Sequence, residues 1–343
     1  TYASVRIQPV QRALGQFQPH LQEAWLSCKA QGVACCVGQR SKLNCSGADE
    51  EGCGMGSPQL AVRSAARVFT AKAFRPVLAQ GQSSSLSEAM QALKSDLGLG
   101  RRTSNSTVID AAYELLANSY RNEYVYKNLI TSKIFVGRHK AKNSAMLSEF
   151  RVGSAVADSF FLNGNATVYE IKTELDNPDK LARQLGEYYR ASPLVNVVVH
   201  ENSLERYERI LTGTPVGLIA VGSRWTLSTV KYADECNEHL CVRTMVNTLR
   251  VREMQSVLSA LGFDLPDVPN GLRYERYLNL ALGVPPRTFH DVYRSVLKNR
   301  RALTGDIAIH RDPSLFPLRA VLAQLDPSLE EGRKLYSWLS LGD

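Results

Sequence analysis

Long apolar runs are missing from this sequence. No stretch of the 343 residues approaches the ~20 consecutive apolar residues that a membrane-spanning helix needs, so no membrane span is expected. The N-terminal segment TYASVRIQPVQRALG lacks the basic-then-apolar pattern of a secretory leader, which predicts a cytoplasmic protein. Metal-binding spacing is missing too among the five cysteines before residue 54. Cys28, Cys35, Cys36, Cys45 and Cys53 crowd together without one C-x2-C pair, and His20 is the only imidazole near them. Zinc-ribbon and zinc-finger patterns are thereby excluded, and the segment reads as reduced thiols in a poorly patterned region. No internal repeat is visible.

What is present is ordinary soluble-protein composition, 44% apolar and 22% charged, in a chain long enough for two or three domains. The net charge of +8 permits nucleic-acid binding without requiring it.

Three regions follow from the patterning. Residues 1–106 form an irregular N-terminal extension and linker. Within it QLAVRSAARVFTAKAF (59–74) has apolar residues at helical spacing, and the Ser- and Gly-rich stretch 79–106 has linker composition with a short helical island. Residues 107–236 are the α/β core. One helix or two in succession, opened by Thr107 and Asp110 as an N-terminal cap, precede the short strand patterns EFRV, AVADSFFL, ATVYEIK, LVNVVVH and VGLIAV. Helical patterns at PDKLARQLGEYYR and SLERYERILTG separate the later strands, predicting a mixed sheet flanked by helices. Residues 237–343 read as a separate helical C-terminal domain, punctuated by Gly262, Gly283 and Pro285-Pro286.

The chemistry concentrates in ADSFFLNGNATVYEIKTELD (157–176), where an apolar hairpin carries Asp158, Glu170 and Lys172. Residues two apart in a strand share a face, so Glu170 and Lys172 point the same way. A two-residue loop at Asn163-Gly164 puts Asp158 opposite Tyr169, whereas a three-residue loop, Asn163 to Asn165, puts it opposite Glu170. In the second register two carboxylates repel unless a cation lies between them. Mg²⁺ suits such oxygen donors, and Lys172 beside it would orient a nucleophilic water and offset transition-state charge. The bland alternative is a salt bridge from Lys172 to Glu170 or Asp158, worth little at a surface.

An acid on one strand followed by E-x-K on the next resembles the signature of the PD-(D/E)XK nuclease superfamily. The flanking NEYVYKN, GRHK, SEFRVG, NG and VYEIKTELD are similar to a largely uncharacterised bacterial and phage family of stand-alone restriction-endonuclease-like proteins within it, over about residues 107–221. The resemblance implies a restriction-endonuclease-like core and Mg²⁺-dependent hydrolysis of DNA, with Mn²⁺ as a substitute. It assigns Asp158 and Glu170 as metal ligands and catalytic acids, the Ile171 carbonyl as a further ligand, and Lys172 as the catalytic lysine. Glu123 best matches an additional catalytic acid from the first helix, with Glu114 and Glu149 as alternatives. Gln184 and Tyr188 match a supporting Q-x3-Y helix. Ala157 stands where the signature has proline.

For nucleic acid, KIFVGRHKAKN supplies Lys133, Arg138, His139, Lys140 and Lys142 beside this hairpin. Arg287, Arg294, Lys298 and Arg301 suggest a basic helix face in the tail. The C-terminal helices are also where a homodimer or a protein partner would dock. Against the nuclease stand a silent nuclease fold that binds nucleic acid or protein without cutting, and a helix-turn-helix regulator. The regulator fits poorly, because no recognition helix follows MQSVLSALGFD at a short turn.

Overall fold

Serine, threonine and asparagine side chains set the helix boundaries in the first part of the structure. The computed structural model describes residues 58–120, 122–136, 144–174, 176–300 and 305–342, all within one unit, Met55–Asp343. Helix α1 spans Pro58–Val68. Thr70 then accepts a hydrogen bond from the Ala73 N–H and opens α2, Ala71–Gln80, so the helical pattern over 59–74 is two helices rather than one. Gly81, at φ 77°, closes α2 in the left-handed conformation.

Ser83 caps α3, Ser84–Asp96, and Ser104 caps α4, Asn105–Leu115. The stretch expected to be linker is therefore mostly helix; two of its serines, Ser83 and Ser104, are caps. Leu86, Met90 and Leu93 of α3 lie in one buried cluster with Val108 and Ala112 of α4. Ser104 also displaces the expected Thr107–Asp110 cap, because the helix starts one turn earlier. After a π-type turn at Leu116–Tyr120, Asn122 caps α5, Glu123–Ile130, and a second π-type turn runs over Thr131–Val136.

Six strands follow: β1 Ala145–Val152, β2 Ala155–Asn163, β3 Asn165–Lys172, β4 Leu194–His200, β5 Gly217–Val221 and β6 Leu227–Lys231. Helix α6, Leu181–Tyr189, joins β3 to β4, and α7, Leu204–Ile210, joins β4 to β5. The sheet order is β1-β2-β3-β4-β5-β6. The first three strands are antiparallel, β3-β4-β5 are parallel, and β6 returns antiparallel. This mixed α/β arrangement is the one expected, with β6 added. That strand is half-exposed along its length, so it lacks the continuous apolar run that marked the central strands.

The remaining helices are α8 Val242–Thr248, α9 Val251–Ala260, α10 Asn270–Leu282, α11 Pro286–Lys298, α12 Ile307–Arg311, α13 Arg319–Leu325 and α14 Leu329–Ser340. They do not form a domain of their own. Met245, Val257, Phe289 and Tyr293 share one buried cluster with Val168 and Val197 of the sheet and Tyr188 of α6. Ile309, Leu322 and Trp338 pack instead with α1–α4. The glycines and prolines after 237 punctuate helices rather than divide cores. On the opposite sheet face, Tyr126, Ile130 and Phe135 cover Met146, Phe161, Ile171 and Val198. Among the described residues no helix is long and apolar enough to cross a membrane.

Candidate functional site

The hairpin register decides whether the carboxylates meet. Asn163 pairs with Asn165 around Gly164 (φ 65°), and the ladder runs down to Ser159 opposite Tyr169. One further step sets Asp158 across from Glu170, the odd-loop register. There the ladder stops, and the Asp158 carboxylate takes the place of a strand carbonyl: the Ile171 N–H donates to its Oδ2 at 2.7 Å.

Strand β1 breaks at the same level. Ala145 and Leu147 face one core cluster, yet beyond Glu149 it is Phe150 and Val152 that face it. Ala157 and Phe160 on β2 show the same one-residue slip. Between them Glu149 adopts φ 53°, a left-handed conformation that costs a non-glycine residue about 1–3 kcal/mol and is concentrated at functional sites. Ser148 pairs with Ser159 and Phe150 with Ala157, so Glu149 and Asp158 lie across from each other. Glu149, Asp158 and Glu170 thus form a row over three strands. The hydroxyls of Ser148 and Ser159, one residue away on each strand, are buried with no hydrogen-bond partner among the described residues.

Glu170 and Lys172 are both buried and bonded, Nζ to Oε1 at 2.7 Å. Helix α6 completes the network. Gln184 donates from Nε2 to Glu170 Oε1 at 2.7 Å and accepts from Lys172 Nζ at Oε1 at 2.9 Å. The Tyr188 hydroxyl lies 2.6 Å from Glu170 Oε2 and 2.8 Å from the Val156 carbonyl. Gln184 and Tyr188 are four apart and so share a helix face.

From the other side of the sheet comes Lys127, a buried lysine 3.2 Å from Glu123 and 3.6 Å from Glu149. Burial, then the charges of Glu170 and Glu123, push the Asp158 carboxyl up to about 8 against the pull of the Ile171 N–H and Lys127. Of the three helix and strand glutamates considered, Glu123 is the one whose charge acts on Asp158. Glu149 joins through Lys127, whereas Glu114 acts on Asp110 of its own helix.

The donors at this row are carboxylate oxygens crowded enough to raise the pKa of Asp158, with two orphan hydroxyls nearby. That set fits a hard divalent cation of the Mg²⁺ type. Asp158 and Glu170 would hold it, beside the backbone of Ile171.

Of the five loop residues expected to meet nucleic acid, Lys133 alone is among the described residues. Lys133 is half-buried in the second π-type turn, and burial followed by the nearby Arg319 lowers its pKa. Arg138, His139, Lys140 and Lys142 lie outside the described residues. In α11, Arg287 lies near Glu235 and Arg294 near Asp291, and Arg301 lies outside the described residues. Among the described residues, Arg287 and Arg294 of that face are thus partly compensated by an acid on the neighbouring loop and one on the helix itself.

A different basic surface appears along the open edge of β1. A cleft of about 440 Å³ is lined by Glu149 and Arg151 of β1, Arg75 of α2, and Asn247 and Arg250 at the α8–α9 junction. Arg75 and Arg151 form no salt bridge among the described residues, whereas the Arg250 charge acts on Glu253. Sequence reading missed these arginines because they come from three separate segments. It missed Lys127 as well, although its i+4 spacing from Glu123 was visible.

Residues 116–311, more than half of the chain, match the family model described as bacteriophage P4 protein cII. The chain belongs to the bacteriophage P4 protein cII family. The matched region takes in both carboxylate strands, Lys127 and α6, so the row described above lies wholly inside the cII-family part of the chain. No curated protein matches the chain. A solved protein of unknown function from Silicibacter pomeroyi is 18% identical over 38% of this chain and 91% of its own length. Its TM-score of 0.24 is too low to support a shared fold.

Proposed function

We propose that this cII-family chain is a metal-dependent nuclease of the PD-(D/E)XK type, with a restriction-endonuclease-like core, hydrolysing phosphodiester bonds of DNA in the cytoplasm. The observation that supports it most is the meeting of Asp158, Glu170 and Lys172 where β2 leaves β3, with Asp158 held near pKa 8 by burial and neighbouring acids. A silent site has no use for that crowding, which lowers stability.

In this reading Asp158 and Glu170, with the Ile171 carbonyl, hold Mg²⁺ or Mn²⁺. When bound, the cation polarises a phosphoryl oxygen and lowers the pKa of its water. Lys172 has three N–H donors, of which Glu170 and Gln184 use two. The third would be available to a substrate oxygen as negative charge develops there. Glu123 adds a negative charge beside Asp158 and, through Lys127, is tied to Glu149. Gln184 and Tyr188 fix the Glu170 rotamer. DNA would reach the row along the β1 cleft, with Arg75, Arg151 and Arg250 on its phosphates.

One observation favours a second reading, a nuclease fold that binds nucleic acid or a protein without cutting. Both oxygens of Glu170 already have hydrogen-bond partners.

The test is cleavage of supercoiled and linear DNA by the full chain with Mg²⁺, Mn²⁺, Ca²⁺ or EDTA. Cutting with Mg²⁺ or Mn²⁺ that stops in EDTA is expected. A well-folded chain that binds DNA equally in EDTA and fails to cut under any of these metals would favour the second reading.

Two further results are expected. Tyr188→Phe removes the hydroxyl on Glu170 while keeping the buried ring; outer-shell partners of metal ligands are typically worth 10–100-fold, so cleavage should fall by about that factor. A rise in the Mg²⁺ concentration needed for half-activation should accompany it, which a packing defect alone would not give. Reversing Arg75, Arg151 and Arg250 to Glu should weaken DNA binding in Ca²⁺. It should also flatten the dependence of log affinity on log salt by about 0.9 per lost phosphate contact. An unchanged slope would place the DNA elsewhere.

A further inference from the structure

The loop between β6 and α8 has no regular structure from Tyr232 to Asn237, yet it is tied down at three points. The Asp234 N–H donates to the Pro215 carbonyl, that of Cys236 to Pro193, and that of Cys241 to Arg190, each at 2.9 Å. A turn closed by Leu240 N–H on the Asn237 carbonyl then brings Glu238 and His239 to the surface above Cys236. The Cys236 thiol is free and 8% exposed. Its Sγ, a carboxylate oxygen of Glu238 and a ring nitrogen of His239 lie within 4.8 Å of one another.

A second observation comes from α6. The hydroxyl of Tyr189, a residue only 5% exposed, is buried with no hydrogen-bond partner among the described residues. The tyrosine ring lies 6.4 Å from the His239 ring. An unpartnered buried hydroxyl costs about 1–3 kcal/mol unless a water or ligand satisfies it.

We propose that Cys236, Glu238 and His239 bind a borderline divalent transition metal of the Zn²⁺ class, separate from the carboxylate row. A thiolate and an imidazole are poor ligands for Mg²⁺ and good ones for Zn²⁺. With bonds of about 2.0–2.3 Å, tetrahedral ligand atoms lie roughly 3.3–3.8 Å apart. The exposed Glu238 and His239 side chains can close the remaining gap by turning toward the thiol. Three protein ligands leave a fourth position, and a water there would give the Tyr189 hydroxyl its missing partner. The ion would pin the loop to the C-terminal end of α6, the helix that presents Gln184 and Tyr188.

Cobalt(II) titration of the full chain tests this, because thiolate–Co²⁺ coordination gives a near-ultraviolet charge-transfer band and tetrahedral geometry gives visible d–d bands. The five cysteines before residue 54 contribute equally to every variant, so the readout is the difference between parental and variant spectra. One equivalent of Co²⁺ is expected in the difference, displaced by Zn²⁺. It should be lost in Cys236→Ala and in His239→Ala and kept in Cys241→Ala. His239 is exposed, so its replacement leaves the fold intact, which near-ultraviolet circular dichroism checks. Identical spectra for the parental chain and His239→Ala would overturn the proposal, as would a parental chain that gives no thiolate band.

Discussion

Asp158→Asn is expected to reduce metal-dependent cleavage on the order of 10³-fold while making the metal-free chain more stable at pH 8. The two effects share one cause. A carboxyl whose pKa is raised on folding binds its proton more tightly in the folded chain than in the unfolded one. Between its ordinary value of 3.8 and about 8, stability therefore falls as pH rises. Below pH 3.8 both states hold the proton and the penalty disappears. Asparagine keeps an oxygen for the Ile171 N–H and carries no charge at any pH. In EDTA at pH 8 the variant should gain on the order of 2 kcal/mol, about 5 °C in melting temperature, with no gain at pH 4. Melting curves at the two pH values check this. A variant that melts lower than the parental chain at pH 8 would show that Asp158 serves the fold. Mg²⁺ should reverse the order, because a cation binds the deprotonated carboxylate and releases the proton.

Lys172→Met is expected to abolish cleavage too, with the opposite effect on stability. It leaves Glu170 buried without its cation, and breaking a buried pair from one side typically costs about 3–5 kcal/mol. Gln184 and Tyr188 still donate to Glu170, which places the loss at the lower end of that range. Adding Glu170→Gln removes the stranded charge, so the double variant should recover most of the loss. Replacing a buried pair by neutral groups is often close to neutral. Chemical denaturation of the parental chain, both single variants and the double variant gives the coupling energy directly. A coupling near zero would mean that the pair is screened by solvent and the buried geometry is not what holds it.

Much of the sheet could be read from period-two runs of valine, isoleucine and phenylalanine, and the E-x-K pair from strand parity alone. The hairpin left two registers open, since Asn163-Gly164 suits a two-residue loop as well as a three-residue one. Pairing of Asn163 with Asn165 around Gly164 resolves it. Long-range features were out of reach. Lys127 enters from a helix on the far side of the sheet, and Glu149 joins the row only because β1 slips by one residue there. Ser83 and Ser104 looked like linker because a serine that caps a helix and a serine in a coil are alike without their neighbours. The C-terminal helices seemed a domain because their partners, the sheet for α8–α11 and α1–α4 for α12–α14, lie far away in sequence.

The central claim is that the buried Glu170–Lys172 pair exists for chemistry rather than for folding. The most direct measurement is DNA cleavage in Mg²⁺ by the Glu170→Gln, Lys172→Met double variant beside the parental chain, both shown folded by their denaturation midpoints. Near-parental stability with no metal-dependent cleavage is the expected result. Cleavage at the parental rate would place the chemistry outside the hairpin.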